Sequence, residues 1–152
     1  MIVKLIFAVF CGILYCIGLP FGFNYEETSV YICIYLWPLL CVIAALYVTI
    51  KAIIRKNVWI ASINGFTLLV YSLITITIFK HYLALPSIHA QFNDCMWKLY
   101  GLSSNLGISY EALNLLIYVV LFSVIMLFHS ICLIIMKKKK SSTCTKQIIA
   151  VA

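Results

Sequence analysis

The chain has 152 residues, of which 65% are hydrophobic and only 10% are charged, and its formal net charge at pH 7 is +7. Soluble domains contain about 45–50% apolar and about 25% charged residues, and small domains bury the smallest fraction of their surface. This composition therefore excludes an ordinary soluble enzyme, a disordered chain and a nucleic-acid-binding module, and it predicts a membrane protein.

Four segments are long enough and apolar enough to cross a bilayer as helices, which takes about 20 mainly apolar residues. Helices are favoured over barrel strands because none of the segments alternates polar and apolar residues. We expect an all-α integral membrane four-helix bundle over residues 1–140 and a cytoplasmic tail over residues 141–152. The predicted spans are residues 2–19, 30–50, 58–79 and 113–136.

The first segment has an alternative interpretation as a signal peptide, because it combines Lys4 with a short apolar stretch. A cleavable signal also needs small residues before the cleavage site. Residues 18–23, which follow the apolar stretch, do not contain that pattern. We therefore expect an uncleaved first helix.

Positive charge is concentrated on one side of the predicted bundle. With four spans, one side holds nine of the 11 basic residues, and the other holds two basic residues and all four acidic residues. The positive-inside rule then places both termini in the cytoplasm. Lys137–Lys140 follow the last span directly and are expected to anchor it and to attract anionic lipids. With three spans, the basic residues would be divided between the two sides of the membrane.

The second helix is expected to begin outside the hydrocarbon, near Tyr25. Asn24 and Glu27 have the spacing of a capping box, and Glu26 joins Glu27 in the first turn, where the helix dipole favours acids. We interpret the two acids as a cap; a catalytic carboxylate pair is the alternative. Pro38 predicts a kink in the middle of this helix.

The short inner connection, residues 51–57, predicts that the second and third helices are antiparallel neighbours. The outer connection, residues 80–112, is much longer than an ordinary loop. Apolar residues recur at helical spacing from Ile88, which predicts an amphipathic helix over Ser87–Tyr100, ended by Gly101, on the outer surface. Its candidate residues for outer-surface interaction are Phe92, Trp97 and Tyr100.

Thiols and phenols aside, His129 is the only ionisable residue deep in a predicted span. His129 lies about 12 Å from the inner end of its helix, and Asn64 lies about 10 Å from the inner end of the third helix. The two residues are therefore expected at a similar depth in the membrane. We therefore predict a buried polar contact between His129 and Asn64; a proton or ion path is the alternative. The spacing gives the depth of the two residues but not the direction in which each faces.

Small and polar residues occupy one half of the third helix, and bulky apolar residues occupy the other half. Ala61 and Gly65 form a small-x-x-x-small pair, which is typical of close contact between membrane helices. We expect this half to pack against neighbouring helices and the bulky half to face lipid. The candidate packing residues are Ala61, Gly65 and Ser72.

Catalytic and metal-binding patterns are weak in this sequence. The seven cysteines include no C-x-x-C, and thiol exchange needs a second thiol. Two loose sets of possible ligands have no motif spacing, so we predict no metal site, no cofactor and no enzyme. These sets are Cys11, Cys41, Cys132 and His129, and, in the outer region, His81, His89 and Asp94.

The function expected from the sequence is interaction: an accessory, assembly, or immunity or exclusion role in which the outer helix is a docking surface for an unknown protein partner. The alternative is an oligomeric channel, holin-like protein or transporter. A single bundle is filled by its own side chains, so a pore would need several copies, and a homo-oligomer is an open possibility. The compact, isoleucine-rich chain favours a bacterial inner membrane, with the lipid bilayer as its partner and no role for nucleic acid.

Overall fold

The computed structural model describes the backbone of residues 2–151 and the side chains of residues 2–137. The described chain is helical and contains no strand. Its helices are α1 (Ile2–Gly18), α2 (Tyr25–Ile54), α3 (Val58–Leu83), α4 (Ile88–Leu106) and α5, which runs from Tyr110 to Val151. Four of them, α1, α2, α3 and α5, are long and apolar enough to span a membrane, as expected.

The C-terminal segment is described only in part. The backbone of α5 continues through the predicted tail, residues 141–152, as far as Val151. Of the predicted basic anchor, Lys137 is exposed, and the side chains of Lys138, Lys139 and Lys140 lie outside the described residues.

The start of α2 is fixed by the predicted capping box. The Glu27 N–H donates to Asn24 Oδ1 at 2.8 Å, and the Asn24 N–H donates to Glu27 Oε2 at 2.9 Å. These two bonds satisfy backbone donors that have no partner within the helix. The interpretation of Glu27 as a cap therefore has a direct structural basis.

The helix turns widen in two places. The turns of α2 over Val30–Leu36 are π-helical, and the helix is regular again from Trp37. Pro38 has no N–H to donate, and in a regular α-helix its ring would crowd the carbonyl of Ile34. The wider turns lie directly before the proline and include Ile34, so they relieve this crowding. A second π-helical segment, Leu116–Leu121 of α5, lies at a similar depth without a proline.

The α2 helix is the centre of the molecule. It packs along α3, its antiparallel neighbour across the short inner connection, and along α5. Towards the inner end, Val48 and Ala52 of α2 form a buried cluster with Cys132 and Met136 of α5. Together α2, α3 and α5 form a three-helix unit.

The orientation of α1 differs from the expected arrangement. In a four-helix bundle α1 would run antiparallel along α2. Instead, its backbone packs mainly against the first turns of α2 and of α5. The Phe7 ring, near one end of α1, meets the Tyr110 ring at 5.9 Å, and Gly18, at the other end, abuts Thr28. Helix α1 therefore crosses the outer ends of α2 and α5.

The predicted outer helix is present as α4, but it is longer than expected. It begins where predicted, with Ser87 Oγ accepting from the Ala90 N–H at 3.1 Å. It does not end at Gly101; it ends at Gly107, whose φ of 65° is left-handed. Beyond Gly101, Ser103 is buried and its hydroxyl donates to the Tyr100 carbonyl at 2.8 Å, whereas Leu102 and Leu106 are exposed. A glycine alone therefore does not end this helix, although it weakens it.

Candidate functional site

The predicted pair Asn64 and His129 is in contact in the structure. His129 Nδ1 lies 2.9 Å from Asn64 Oδ1, which requires Nδ1 to carry the proton. Asn64 Nδ2 donates to the Ile60 carbonyl at 3.0 Å and to Cys132 Sγ at 3.6 Å. Asn64 is 0% exposed and His129 is 3% exposed, so this contact is an internal polar link between α3 and α5.

The second ring nitrogen of His129 has no partner in the described part of the chain. Nε2 is buried, and the rings of Tyr71 and Phe128 pack edge-on against the imidazole at 6.1 and 5.3 Å. With Nδ1 donating to Asn64, Nε2 of the neutral ring is an acceptor surrounded by aromatic rings. The arrangement suits a structural link between helices, and among residues 2–137 no polar group continues from Nε2.

The three predicted packing residues have different environments. Ala61 packs against the cluster that joins α2 and α5. Gly65 does not make the close contact expected of it, because no described atom outside its own helix lies within 4 Å of where its Cβ would be. Ser72 is half-buried. Near Gly65 the side chains of Asn64 and His129 bridge α3 and α5, so the two backbones do not need to approach closely.

A group of charged side chains fixes α4 on the ends of α2 and α3. Asp94 Oδ2 accepts from Lys98 Nζ at 2.7 Å and lies 2.9 Å from His81 Nε2 at the end of α3. His89 Nδ1 lies 2.6 Å from Glu26 Oε2 in the first turn of α2. The two histidines therefore contact acids on other helices, and the sequence reasoning did not identify these pairs. Only the four-residue spacing of Asp94 and Lys98 was visible in the sequence.

The ion pair at Asp94 predicts a response to acid. The hydrogen bond from Lys98 lowers the pKa of the Asp94 carboxyl, slight burial opposes this effect, and His81 reinforces it. The charged Asp94 carboxylate therefore stabilises the folded protein above about pH 4, the ordinary pKa of aspartate. This stabilisation is lost as the pH falls through the lowered pKa of Asp94. We expect Asp94→Asn to cost about 0.2–1 kcal/mol at neutral pH, with less effect in high salt.

Thermal unfolding in detergent from neutral pH to pH 3 measures this effect, with Lys80→Gln as a matched control. Lys80 is exposed and forms no ion pair among the described residues, and its replacement also changes the charge by one. The parent protein should lose stability below about pH 4 in a way that Asp94→Asn does not. Identical acid responses of the parent and Asp94→Asn contradict a contribution from this pair.

The predicted outer-surface residues do not share one environment. Phe92 is partly buried and packs on Tyr25 with ring centres 6.0 Å apart, so it contributes little outward apolar surface. Tyr100 stacks on Tyr110 at 4.3 Å. Trp97 is 76% exposed on the opposite face of α4. Of the three, Trp97 is the residue that presents a large apolar surface outward.

The described side chains offer packing and charge pairing more than reactive chemistry. No group of three or more histidine, cysteine or acidic residues within residues 2–137 has a metal-binding arrangement. The six cysteines in that range are free thiols, and Cys95 lies 3.6 Å from the Tyr118 hydroxyl. No protein-family model, curated protein sequence or solved structure matches the chain.

Proposed function

We propose that α2, α3 and α5 cross a cell membrane, with a bacterial inner membrane as the expected location. The inner connection carries Lys51, Arg55 and Lys56, and Lys137–Lys140 follow the apolar part of α5, so the same side of the three-helix unit is strongly basic. The positive-inside rule makes this side cytoplasmic. Helix α3 alone has 26 residues, about 39 Å, which exceeds the hydrocarbon thickness of about 30 Å.

The position of α1 supports an N-terminus on the outer side, in place of the cytoplasmic N-terminus expected for four spans. Both ends of α1 lie at the first turns of α2 and α5, and Lys4 is close enough to Glu111 for a favourable charge interaction. With Lys4 outside, eight basic residues remain on the cytoplasmic side and three lie outside with all four acids. The charge bias therefore keeps its direction.

Cysteine labelling in intact cells tests this topology. We expect a membrane-impermeant maleimide to label Ile2→Cys and Trp97→Cys, whose parent side chains are both exposed, more strongly than the parent protein. Lys56→Cys, in the inner connection, should be labelled only after permeabilisation. Labelling of Ile2→Cys only after permeabilisation, as for Lys56→Cys, would restore the four-span arrangement. Labelling of all three variants in intact cells contradicts membrane insertion.

We further propose that the protein acts by binding another protein on its outer side, in an accessory, assembly or immunity role, without catalysis. The observation that carries this proposal is Trp97. One face of α4 packs against α2 and α3 and forms ion pairs with them. Trp97 lies on the opposite, exposed face, so its position is fixed by these contacts. Exposed tryptophans on rigid helices are favoured anchors of protein interfaces.

Photo-crosslinking distinguishes a protein interface from a membrane anchor at Trp97. A photoreactive amino acid at position 97 should give a discrete protein adduct in cells, because a partner would cover this side chain. The matched position is Phe66, which is 70% exposed in the middle of α3 and should give lipid adducts only. Lipid adducts alone at position 97 contradict the interface. A self-adduct with a stable ring in detergent would favour the oligomeric pore.

A further inference from the structure

A cavity of 540 Å³ lies between α2, α3 and α5. Its volume is within the range of about 300–1,000 Å³ that is typical of ligand pockets. The walls are almost entirely apolar and aromatic. Residues that line it include Trp37 and Cys41 of α2, Thr75 and Ile78 of α3, and Tyr118 and Ile125 of α5.

The cavity is partly open to the outside and extends from α4 towards the layer of the Asn64–His129 contact. Tyr82 and Cys95 line its outer end, beneath α4. Tyr71 lines its inner end and packs on His129, which bonds to Asn64 across the bundle. Between these two ends the backbones of α3 and α5 make no extensive contact in the described part of the chain. A gap between α3 and α5 therefore faces the surrounding medium.

The depth of the cavity corresponds to hydrocarbon in the membrane arrangement proposed above, on which this inference rests. Trp37 lies 12 residues after Tyr25, at which α2 begins, which is about 18 Å along the helix. The hydrocarbon core is about 30 Å thick, so Trp37 lies well inside it. Both π-helical segments, Val30–Leu36 and Leu116–Leu121, contribute lining residues, and such turns frequently occur at functional sites.

The lining determines the kind of occupant. Water needs several polar partners to enter a cavity, and this lining offers few. A spanning helix is about 10 Å wide and would have to pass both α4 and the Asn64–His129 contact, which lie at the two ends. A flexible hydrocarbon chain needs neither polar partners nor an opening at both ends, because it can enter between α3 and α5.

Polar groups for a headgroup lie at the outer end. Lys98 Nζ lies 5.3 Å from the centre of the ring of Tyr82, a residue that lines the cavity. Asp94 is bonded to Lys98, and His81 is adjacent. This group pairs a positive with a negative charge at the position where a zwitterionic phospholipid would present its phosphate and its amine.

We propose that the cavity binds one acyl chain of a phospholipid from the outer leaflet, with the phospholipid headgroup against His81, Asp94 and Lys98. Trp37, in the cavity wall, is the natural reporter. An acyl chain in the cavity would contact the Trp37 indole. On the α5 side, Phe122 and Tyr118 pack against the same ring. Bilayer lipid outside the bundle has less access to this tryptophan than to the exposed Trp59.

The test uses the full chain with Trp59→Phe and Trp97→Phe, so that Trp37 is the only tryptophan. The protein is reconstituted in phosphatidylethanolamine vesicles in which part of the lipid is brominated along its acyl chains. Bromine quenches tryptophan on contact, so we expect strong quenching. Thr75→Phe, which places a phenyl ring in the cavity, should lower the quenching. Ile76→Phe, on the neighbouring exposed position, should leave it unchanged.

Equal quenching in the Thr75→Phe and Ile76→Phe proteins, or no quenching in the parent, overturns the proposal. Native mass spectrometry of the unmodified protein decides independently if Thr75→Phe fails to fold. One retained phospholipid is expected, with less retained by Lys98→Gln. A lipid-free monomer or a lipid-free dimer overturns the proposal. The cysteine labelling described above tests insertion separately, so an inserted protein without bound phospholipid contradicts the cavity assignment alone.

Discussion

Gly18→Ala will destabilise the protein by about 1–3 kcal/mol, the usual cost of adding a group to a filled site. A Cβ on Gly18 would conflict sterically with Thr28 Oγ1 and would lie 3.1 Å from the Phe23 carbonyl oxygen. Thr28 is buried and its hydroxyl donates to the Asn24 carbonyl at 2.9 Å, so it cannot turn away without losing this bond. The backbone carbonyl can move still less.

The matched control is Gly12→Ala in the same helix. No described atom outside that helix lies within 4 Å of a Cβ at position 12, so only helix propensity changes, by about 1 kcal/mol in favour of alanine. The same substitution is therefore expected to have opposite signs at positions 12 and 18. Unfolding in detergent, followed by circular dichroism, measures both. A stabilising Gly18→Ala contradicts the contact between α1 and the start of α2.

Removing either member of the Asn64–His129 pair is the second large change that we expect. Each alanine substitution leaves the other polar group buried without this partner, at a cost of about 1–3 kcal/mol. The double variant should cost less than the two single variants together. Polar pairs within membranes couple by about 0.6 kcal/mol on average, so the non-additivity should be modest.

A double-mutant cycle on unfolding in detergent measures this coupling. Ser130→Ala combined with Asn64→Ala is the control cycle, because Ser130 is exposed and bonds to the Met126 carbonyl of its own helix. That cycle should be additive. Additivity in the cycle of Asn64 and His129 as well would mean that the two side chains do not interact in the folded protein.

Features that depend on neighbouring residues were predictable from the sequence. The capping box at Asn24 and the cap at Ser87 each follow from a few consecutive letters, because a cap involves only its own helix turn. The common depth of Asn64 and His129 followed from the rise of an α-helix. Their contact was inferred from the need of each buried polar group for a partner.

Features that depend on distant packing were not predictable. Helix α1 is strongly apolar along most of its length, and no pattern in its sequence shows that it crosses the ends of other helices. Gly101 has the residue type of a helix end, but the left-handed residue that caps α4 is Gly107, and the sequence does not show which of the two glycines adopts that conformation. The Glu26–His89 pair joins two helices, and its residues are far apart in the sequence, so no local pattern predicts it.

The crossing of α1 over the outer ends has a consequence for biosynthesis. Phe7 contacts Tyr110, which is synthesised about 100 residues later, a delay of about 5–20 s at ordinary translation rates. Until then one half of the docking site for α1 does not exist. A helix as strongly apolar as α1 can remain in lipid during this interval, whereas a mainly polar helix would need an earlier protein partner. The strongly apolar composition of α1 therefore suits its late assembly.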